Sequence, residues 1–341
     1  MREQEIDLAV VGAGPAGLAA AVQARRLGLD LLVLEEDRPG GALATAFFVE
    51  NYPGFPGGVA GRELARRMVR QAQGLGVPIR KARVLRIRPE EGAFLLETDR
   101  GPLQARAVIA ATGSRPRALG LPGEEALRGE YLFHRADRLL ARMIHEDSSR
   151  EDPGRRHRPA DPGSQQDLHG SFGLERSPEG KVLVLGGGDA AFDQAAYLAS
   201  RDVEVLLACR SARPRALERI VALAEAQGVR VLLETRLRSL EIEEEGLVAF
   251  LSSPAGEMRV KARRLLLALG KEPDFSLLPR EALTPGGILP PHPMGRTGLP
   301  GLFAAGDLRR GRDRQAVIAA GDGMAAALEA ARYLQETRND R

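Results

Sequence analysis

Apolar positions along the chain fall into short dense runs separated by glycine-rich turns. Residues 6–12, IDLAVVG, and 30–35, DLLVLE, are nearly continuous apolar stretches, the pattern of parallel strands buried on both faces. Between them a Gly-rich turn opens onto AGLAAAVQARRLG, an Ala/Leu-rich segment that predicts a helix closed by Gly28. The order is a βαβ unit. It returns at residues 181–209, where KVLVLGGG predicts strand and turn, AAFDQAAYLASR a helix and VEVLLAC a second strand. RLLLALG (264–270) and LFAAGD (302–307) predict two further strand-then-turn segments. Residues 137–146, DRLLARMIHE, predict a short amphipathic helix. Residues 146–180 are rich in charge, Gly, Ser and Pro, and predict a polar, mobile insert.

Two βαβ units in 341 residues imply two nucleotide-binding domains, and 43% hydrophobic residues supply two cores. Net charge is only +3, and no basic run interleaves with aromatics, which argues against a nucleic-acid partner. The single cysteine, Cys209, excludes an internal disulfide and a Cys-rich metal site. His134, His145, His157 and His169 have no zinc-like spacing, so no metal is expected. There is no secretion-signal pattern at the start and no apolar run of about 18 residues or more, so the expectation is a cytoplasmic protein without a membrane partner.

The first turn reads Gly12-Ala13-Gly14-Pro15-Ala16-Gly17. Gly12 permits a tight turn, Gly14 lets backbone approach a pyrophosphate, and Gly17 allows close helix–strand packing. The helix N-terminus adds N–H groups and partial positive charge. Glu35, at the end of the second strand, is placed to bind a ribose and disfavours a 2′-phosphate, so this site suits FAD or NAD. The second turn, Gly186-Gly187-Gly188-Asp189-Ala190-Ala191, fits GxGxxA. Its following strand ends at Cys209 rather than at an acid, and Arg210, Arg213 and Arg215 come next. Three close cations without an acid favour NADPH, with NADH as the alternative. Cys209 reads as a packing residue at the strand end.

Four further segments carry a resemblance: GGALATAFFVENYPGFPGG (40–58), ATGSRPRALGLPGEE (111–125), GLFAAGD (301–307) and DRQAVIAAGDGMAAALEAARYL (313–334). With the two turns, and over nearly the whole chain apart from the insert, they resemble the low-molecular-weight thioredoxin reductases, a branch of the pyridine nucleotide–disulfide oxidoreductases. The resemblance implies an α/β fold of two Rossmann-like domains. The FAD domain would span 1–118 and 271–341, and an NAD(P)H domain, 119–270, would be inserted within it. Homodimers are common in that family. Matching residues carry implied roles. Gly40 and Gly41 would approach the flavin side of FAD, Asn51 would sit by the isoalloxazine, and Thr112 and Gly113 would close over the cofactor. Asp307 would meet the ribityl–pyrophosphate region, and Arg314, Gln315 and Ala316 the flavin ring. Ala42 stands where the family usually has Gln. At the arginine motif His-Arg-Arg-x-x-x-Arg, Arg210 and Arg215 match, whereas Cys209 and Ser211 do not.

The family's redox pair, Cys-x-x-Cys-Asp, would fall on Phe133-His134-Arg135-Ala136-Asp137. No disulfide can form there. Asp137 aligns with the family's proton donor, but no thiolate adjoins it. The expected function is therefore an FAD-dependent NAD(P)H oxidoreductase that reduces an unidentified acceptor directly. A ferredoxin or flavodoxin–NADP reductase and a non-catalytic redox sensor are the alternatives.

Overall fold

The computed structural model describes residues 6–121, 123–150, 180–243, 246–311 and 313–339. Most of the predicted insert, residues 151–179, lies outside the described residues, as do His157 and His169.

In chain order the elements begin with β1 (Ile6–Val11), α1 (Pro15–Arg26), β2 (Leu31–Glu35), α2 (Gly61–Gly74), β3 (Ile79–Lys81), β4 (Val84–Glu90), β5 (Ala93–Thr98), β6 (Leu103–Ala110) and β7 (Ser114–Pro116). There follow α3 (Glu124–Leu127), β8 (Leu132–Phe133), α4 (Ala136–Arg150), β9 (Val182–Gly186), α5 (Asp189–Ala199), β10 (Val205–Ala208), α6 (Glu218–Ala226) and β11 (Arg230–Leu232). Then come β12 (Arg236–Glu243), β13 (Gly246–Ser253), β14 (Gly256–Ala262), β15 (Arg264–Ala268), β16 (Lys271–Pro273), β17 (Leu302–Ala304) and the long α7 (Ala316–Asn339). The chain divides into two compact units, one of residues 1–115 with 271–341 and one of 116–270.

The first unit is built on a sheet in the order β3-β2-β1-β6-β5-β4, with β17 also pairing β6. β1 pairs β2 and β6 in parallel, whereas β4–β5 and β5–β6 are antiparallel. The continuous apolar run of β1 has a direct cause. Leu8 and Val10 pack into one core with the alanines of α1 and α7, while Ala9 and Val11 pack into another with Leu96 and Leu302. A strand covered on both faces needs apolar side chains at every position. Helices α1 and α7 approach through small residues: a Cβ on Gly323 would lie 1.9 Å from the Ala16 carbonyl oxygen.

The second unit holds a parallel sheet in the order β11-β10-β9-β15-β8 and an antiparallel meander, β12-β13-β14. Leu183, Leu185, Leu265 and Leu267 pack on Leu247, Ala249 and Leu251 of the meander. Phe192 and Ala195 of α5 are fully buried.

Helix α4 corrects one expectation. The predicted helix ended at 146, where the polar insert was to begin, yet α4 runs to Arg150. Leu139, Leu140 and Met143 bury one face. The polar residues that follow are held by charge: Arg263 bonds Asp147 at 3.0 Å and Glu146 at 3.1 Å, and Arg264 pairs with Glu146. Both arginines are nearly fully buried. Local polarity suggested a loop because the partners are more than a hundred residues away in sequence. Among the described residues, no helix is long and apolar enough to cross a membrane.

Candidate functional site

The first Gly-rich turn joins β1 to α1. Gly12 has φ +101°, and a Cβ there would sit 2.5 Å from the Ala111 carbonyl oxygen. A Cβ on Gly17 would sit 1.8 Å from the Gly12 oxygen. Both positions therefore exclude side chains. At Gly14, in contrast, a Cβ would meet nothing closer than the Gly41 Cα at 4.0 Å. Gly14 caps α1 without any side-chain hydrogen bond, and Pro15 opens the helix. There is thus room beside Gly14, and no side chain caps the first-turn N–H groups, which leaves them for an anion. Gly40 and Gly41 border this space, with Gly40 N–H donating to the Ala13 carbonyl at 2.8 Å.

Glu35 closes the cradle. Its Oε2 accepts from Ala13 N–H at 2.8 Å and its Oε1 from Asp37 N–H at 3.0 Å. Each carboxylate oxygen keeps a second lone pair, which suits ribose hydroxyls. Thr112 follows Ala111 against the Gly12 turn, and its hydroxyl is buried without a hydrogen-bond partner among the described residues. An orphaned buried hydroxyl costs stability unless a ligand meets it. The turn, the acid and this hydroxyl fit a bound dinucleotide.

A second cluster in the same unit joins distant segments. Asn51 Nδ2 donates to Gln315 Oε1 at 2.8 Å. Asn51 lies in the loop 50–56, which lines a groove of about 410 Å³, and Ala316 packs with Leu43, Tyr52 and Phe55. Asp307 sits in a short 3-10 turn directly after β17, the strand-then-turn order expected at 302–307. Burial pushes its carboxyl above the usual range, against the pull of Lys271, Arg314 and the Ser114 hydroxyl. Ser114 Oγ donates to Asp307 Oδ2 at 3.4 Å. Ser114 and Lys271 were missed in the sequence because nothing local marks them as neighbours of Asp307. Arg314 braces backbone: its guanidinium donates to the carbonyls of Arg310 at 3.2 Å and Lys271 at 2.6 Å.

The other Gly-rich turn, in the second unit, joins β9 to α5. A Cβ on Gly186 would clash with the Ala268 oxygen and the Ala191 Cβ, whereas Gly188 has nothing within 4 Å. Ala190 and Ala191 continue the first turn of α5, with Ala191 fully buried. Cys209 is buried, and a Cβ on Gly187 would lie 2.5 Å from its Sγ. Arg210, Arg213 and Arg215 are exposed on the loop that follows β10. Among the described residues their guanidinium groups make no ion pair or hydrogen bond.

Phe133 ends β8 and Ala136 begins α4, and both are buried. Burial pushes the intervening His134 below its usual range. Asp137 is held by a bidentate pair with Arg135, at 3.1 and 3.0 Å. Among the described residues there is no group of three or more side chains able to hold a metal ion.

Comparison with known proteins gives the family. The profile of the pyridine nucleotide-disulphide oxidoreductases matches residues 6–323. A thioredoxin reductase of Mycolicibacterium smegmatis is 32% identical over 337 residues, covering 97% of each chain. One from Treponema pallidum is 30% identical over 340 residues, covering 99% of this chain and all of that one. The crystal structure of Lactococcus lactis thioredoxin reductase shares the fold, with a TM-score of 0.78 at 24% identity over 97% of this chain and 99% of that one. Thioredoxin reductases of this family use FAD and NADPH. The chain is a mixed α/β protein of two Rossmann-like domains, and it belongs to the pyridine nucleotide-disulphide oxidoreductase family, among its thioredoxin reductase-like members.

Proposed function

We propose that this protein is an FAD-dependent NADPH oxidoreductase that reduces its acceptor directly, without a dithiol relay. The observation that carries the reading is the chain's single cysteine, Cys209, buried against Gly187 in the second nucleotide turn. A relay needs two thiols within reach of each other, and the aligned positions are Phe133 and Ala136. Asp137, paired with Arg135, is then a structural residue and not a proton donor to a thiolate.

When bound, NADPH would supply a hydride and FAD would serve as the electron carrier between it and the acceptor. In this reading the first unit holds FAD. The α1 N-terminus with Gly12, Gly14, Pro15, Ala16 and Gly17 carries the pyrophosphate, and Glu35 takes the ribose. Gly40, Gly41, Thr112, Gly113 and Asp307 line the remainder. Asn51, Gln315 and Ala316 form the flavin end, and Arg314 holds that segment's backbone. The second unit holds NADPH: Gly186, Gly188, Ala190 and Ala191 shape the pyrophosphate turn, and Arg210 and Arg215 take the 2′-phosphate. Three exposed guanidinium groups, without a partner among the described residues and with no acid at the strand end, support NADPH over NADH. A homodimer is part of the same reading, by likeness to the family.

Anaerobic stopped-flow mixing of the FAD-loaded protein with NADPH tests the enzyme reading, with bleaching of the flavin band expected. No bleaching with NADPH or NADH would sink it. Turnover is expected with artificial acceptors but not with thioredoxin. Thioredoxin reduction by the purified chain would overturn the direct-transfer reading.

A further inference from the structure

The loop that carries the three arginines is fastened to the nucleotide turn at three points. Gly187 carbonyl oxygen accepts from Arg215 N–H at 2.7 Å and from Ala216 N–H at 3.2 Å. Asp189 Oδ1 accepts from Leu217 N–H at 2.9 Å. Asp189 is the first residue of α5 and Leu217 is the cap of α6, so this carboxylate ties the starts of the two helices together. The two Gly187 bonds use backbone alone and survive any side-chain change. The Asp189 bond is the only one of the three that a side chain provides.

An acid in the first turn complements the dipole of α5 itself. The N-terminus of α5 presents N–H groups and partial positive charge to an anionic pyrophosphate, and a carboxylate beside it opposes that attraction. Its contact with Leu217 gives it a different task. We infer that Asp189 is a positioning residue for selectivity: it holds residues 210–217 so that Arg210, Arg213 and Arg215 stand where a 2′-phosphate arrives. This deepens the NADPH reading above and rests on it. An exposed loop with three like charges tends to splay apart, and a charge-assisted bond at its far end resists that.

The consequence is specific to the phosphate. Release of the loop leaves the pyrophosphate turn intact, because Gly186 and Gly188 shape it from β9 and α5. Adenine nucleotides with and without the 2′-phosphate therefore report on the loop separately from the turn.

The probes are 2′,5′-ADP and 5′-AMP, which differ only in the 2′-phosphate, titrated by calorimetry into the FAD-loaded protein, with the ratio of their affinities as the readout. Wild type is expected to favour 2′,5′-ADP. In Asp189→Ala the ratio is expected to fall by about threefold or more, the scale of one lost hydrogen bond. Asp189→Asn keeps an acceptor oxygen and is expected to hold the ratio near the wild-type value. Leu217→Pro removes the donor instead, and its native φ of −59° suits proline. It is expected to lower the ratio as Asp189→Ala does, and the double variant is expected to go no lower than either single one. A preference kept in both Asp189→Ala and Leu217→Pro would overturn the inference and leave the NADPH reading standing. A wild-type ratio near one would remove the NADPH preference and this inference with it. Should Asp189→Ala fail to fold, Leu217→Pro and Asp189→Asn carry the test alone.

Discussion

Asn51 and Gln315, 264 positions apart in the chain, meet through a single amide–amide hydrogen bond of 2.8 Å. The contact brings the loop 50–56 to the start of α7, two segments that lack a common secondary-structure element. If these side chains hold one another at the flavin end, each loses its purpose when the other is removed. Asn51→Ala and Gln315→Ala are each expected to weaken FAD binding by about threefold, and the double variant to be no weaker than either. Fluorescence titration of the apoprotein with FAD checks this. Additive losses would show that the two act independently.

Gly323 tests the packing of α7 on α1. A Cβ there would overlap the Ala16 carbonyl oxygen at 1.9 Å, and backbone cannot yield as a flexible side chain would. Gly323→Ala is expected to cost about 3 kcal/mol, at the upper end of overpacking effects. Denaturant unfolding measures it. On the proposed reading Ala16 lies in the turn that holds FAD, so FAD retention is expected to fall in the same variant.

The charge cluster at the end of α4 predicts a pH dependence. Burial opposes ionisation of Glu146, but the guanidinium groups of Arg264, Arg263 and Arg142 outweigh it and hold the carboxyl below its ordinary 4.5. A carboxyl depressed in the folded state contributes stability that is fully present above the unfolded value and is lost as pH falls through the folded one. Glu146→Gln is expected to be less stable than wild type at neutral pH, and the gap to narrow on acidification below about pH 4.5. Glu124 and Glu329, also depressed, keep their contributions in the variant. Melting temperatures from about pH 3 to pH 7 provide the comparison. A gap that stays constant across that range would contradict the assignment.

Arg210 and Arg215 test the cofactor reading by kinetics. With both changed to Ala, the ratio of kcat/KM for NADPH over NADH is expected to fall by about tenfold or more, since each charge-assisted bond to a phosphate is worth at least that factor. An unchanged ratio would place nucleotide selectivity elsewhere in the second unit.

Much of the fold was legible because its determinants are local. β1, β2, β9 and β10 lie within the apolar runs at 6–12, 30–35 and 181–209, each trimmed by a residue or two at its ends. The turns at Gly12 and Gly186 were legible for the same reason, since a positive φ or a carbonyl too close for a Cβ leaves only glycine. The end of α4 was not legible. Glu146 and Asp147 look like loop residues until Arg263 and Arg264 are placed beside them. Asp137 was legible as an acid beside Ala136, but its pairing with Arg135 needed the start of α4 in place.

The sequence by itself determined the two Gly-rich turns, the acid at the end of β2, the arginines after β10 and the lack of a second thiol. Each is set within one βαβ unit or by simple count. Only the tertiary structure decided that Glu35 takes two backbone N–H groups, that Asp307 sits half-buried beside Ser114, and that Asp189 reaches Leu217. These contacts join residues whose separation in the chain carries no period and no pattern. They arise where the sheet and helices bring backbone back upon itself, and a polar side chain left there must find whichever donor the fold has placed within reach.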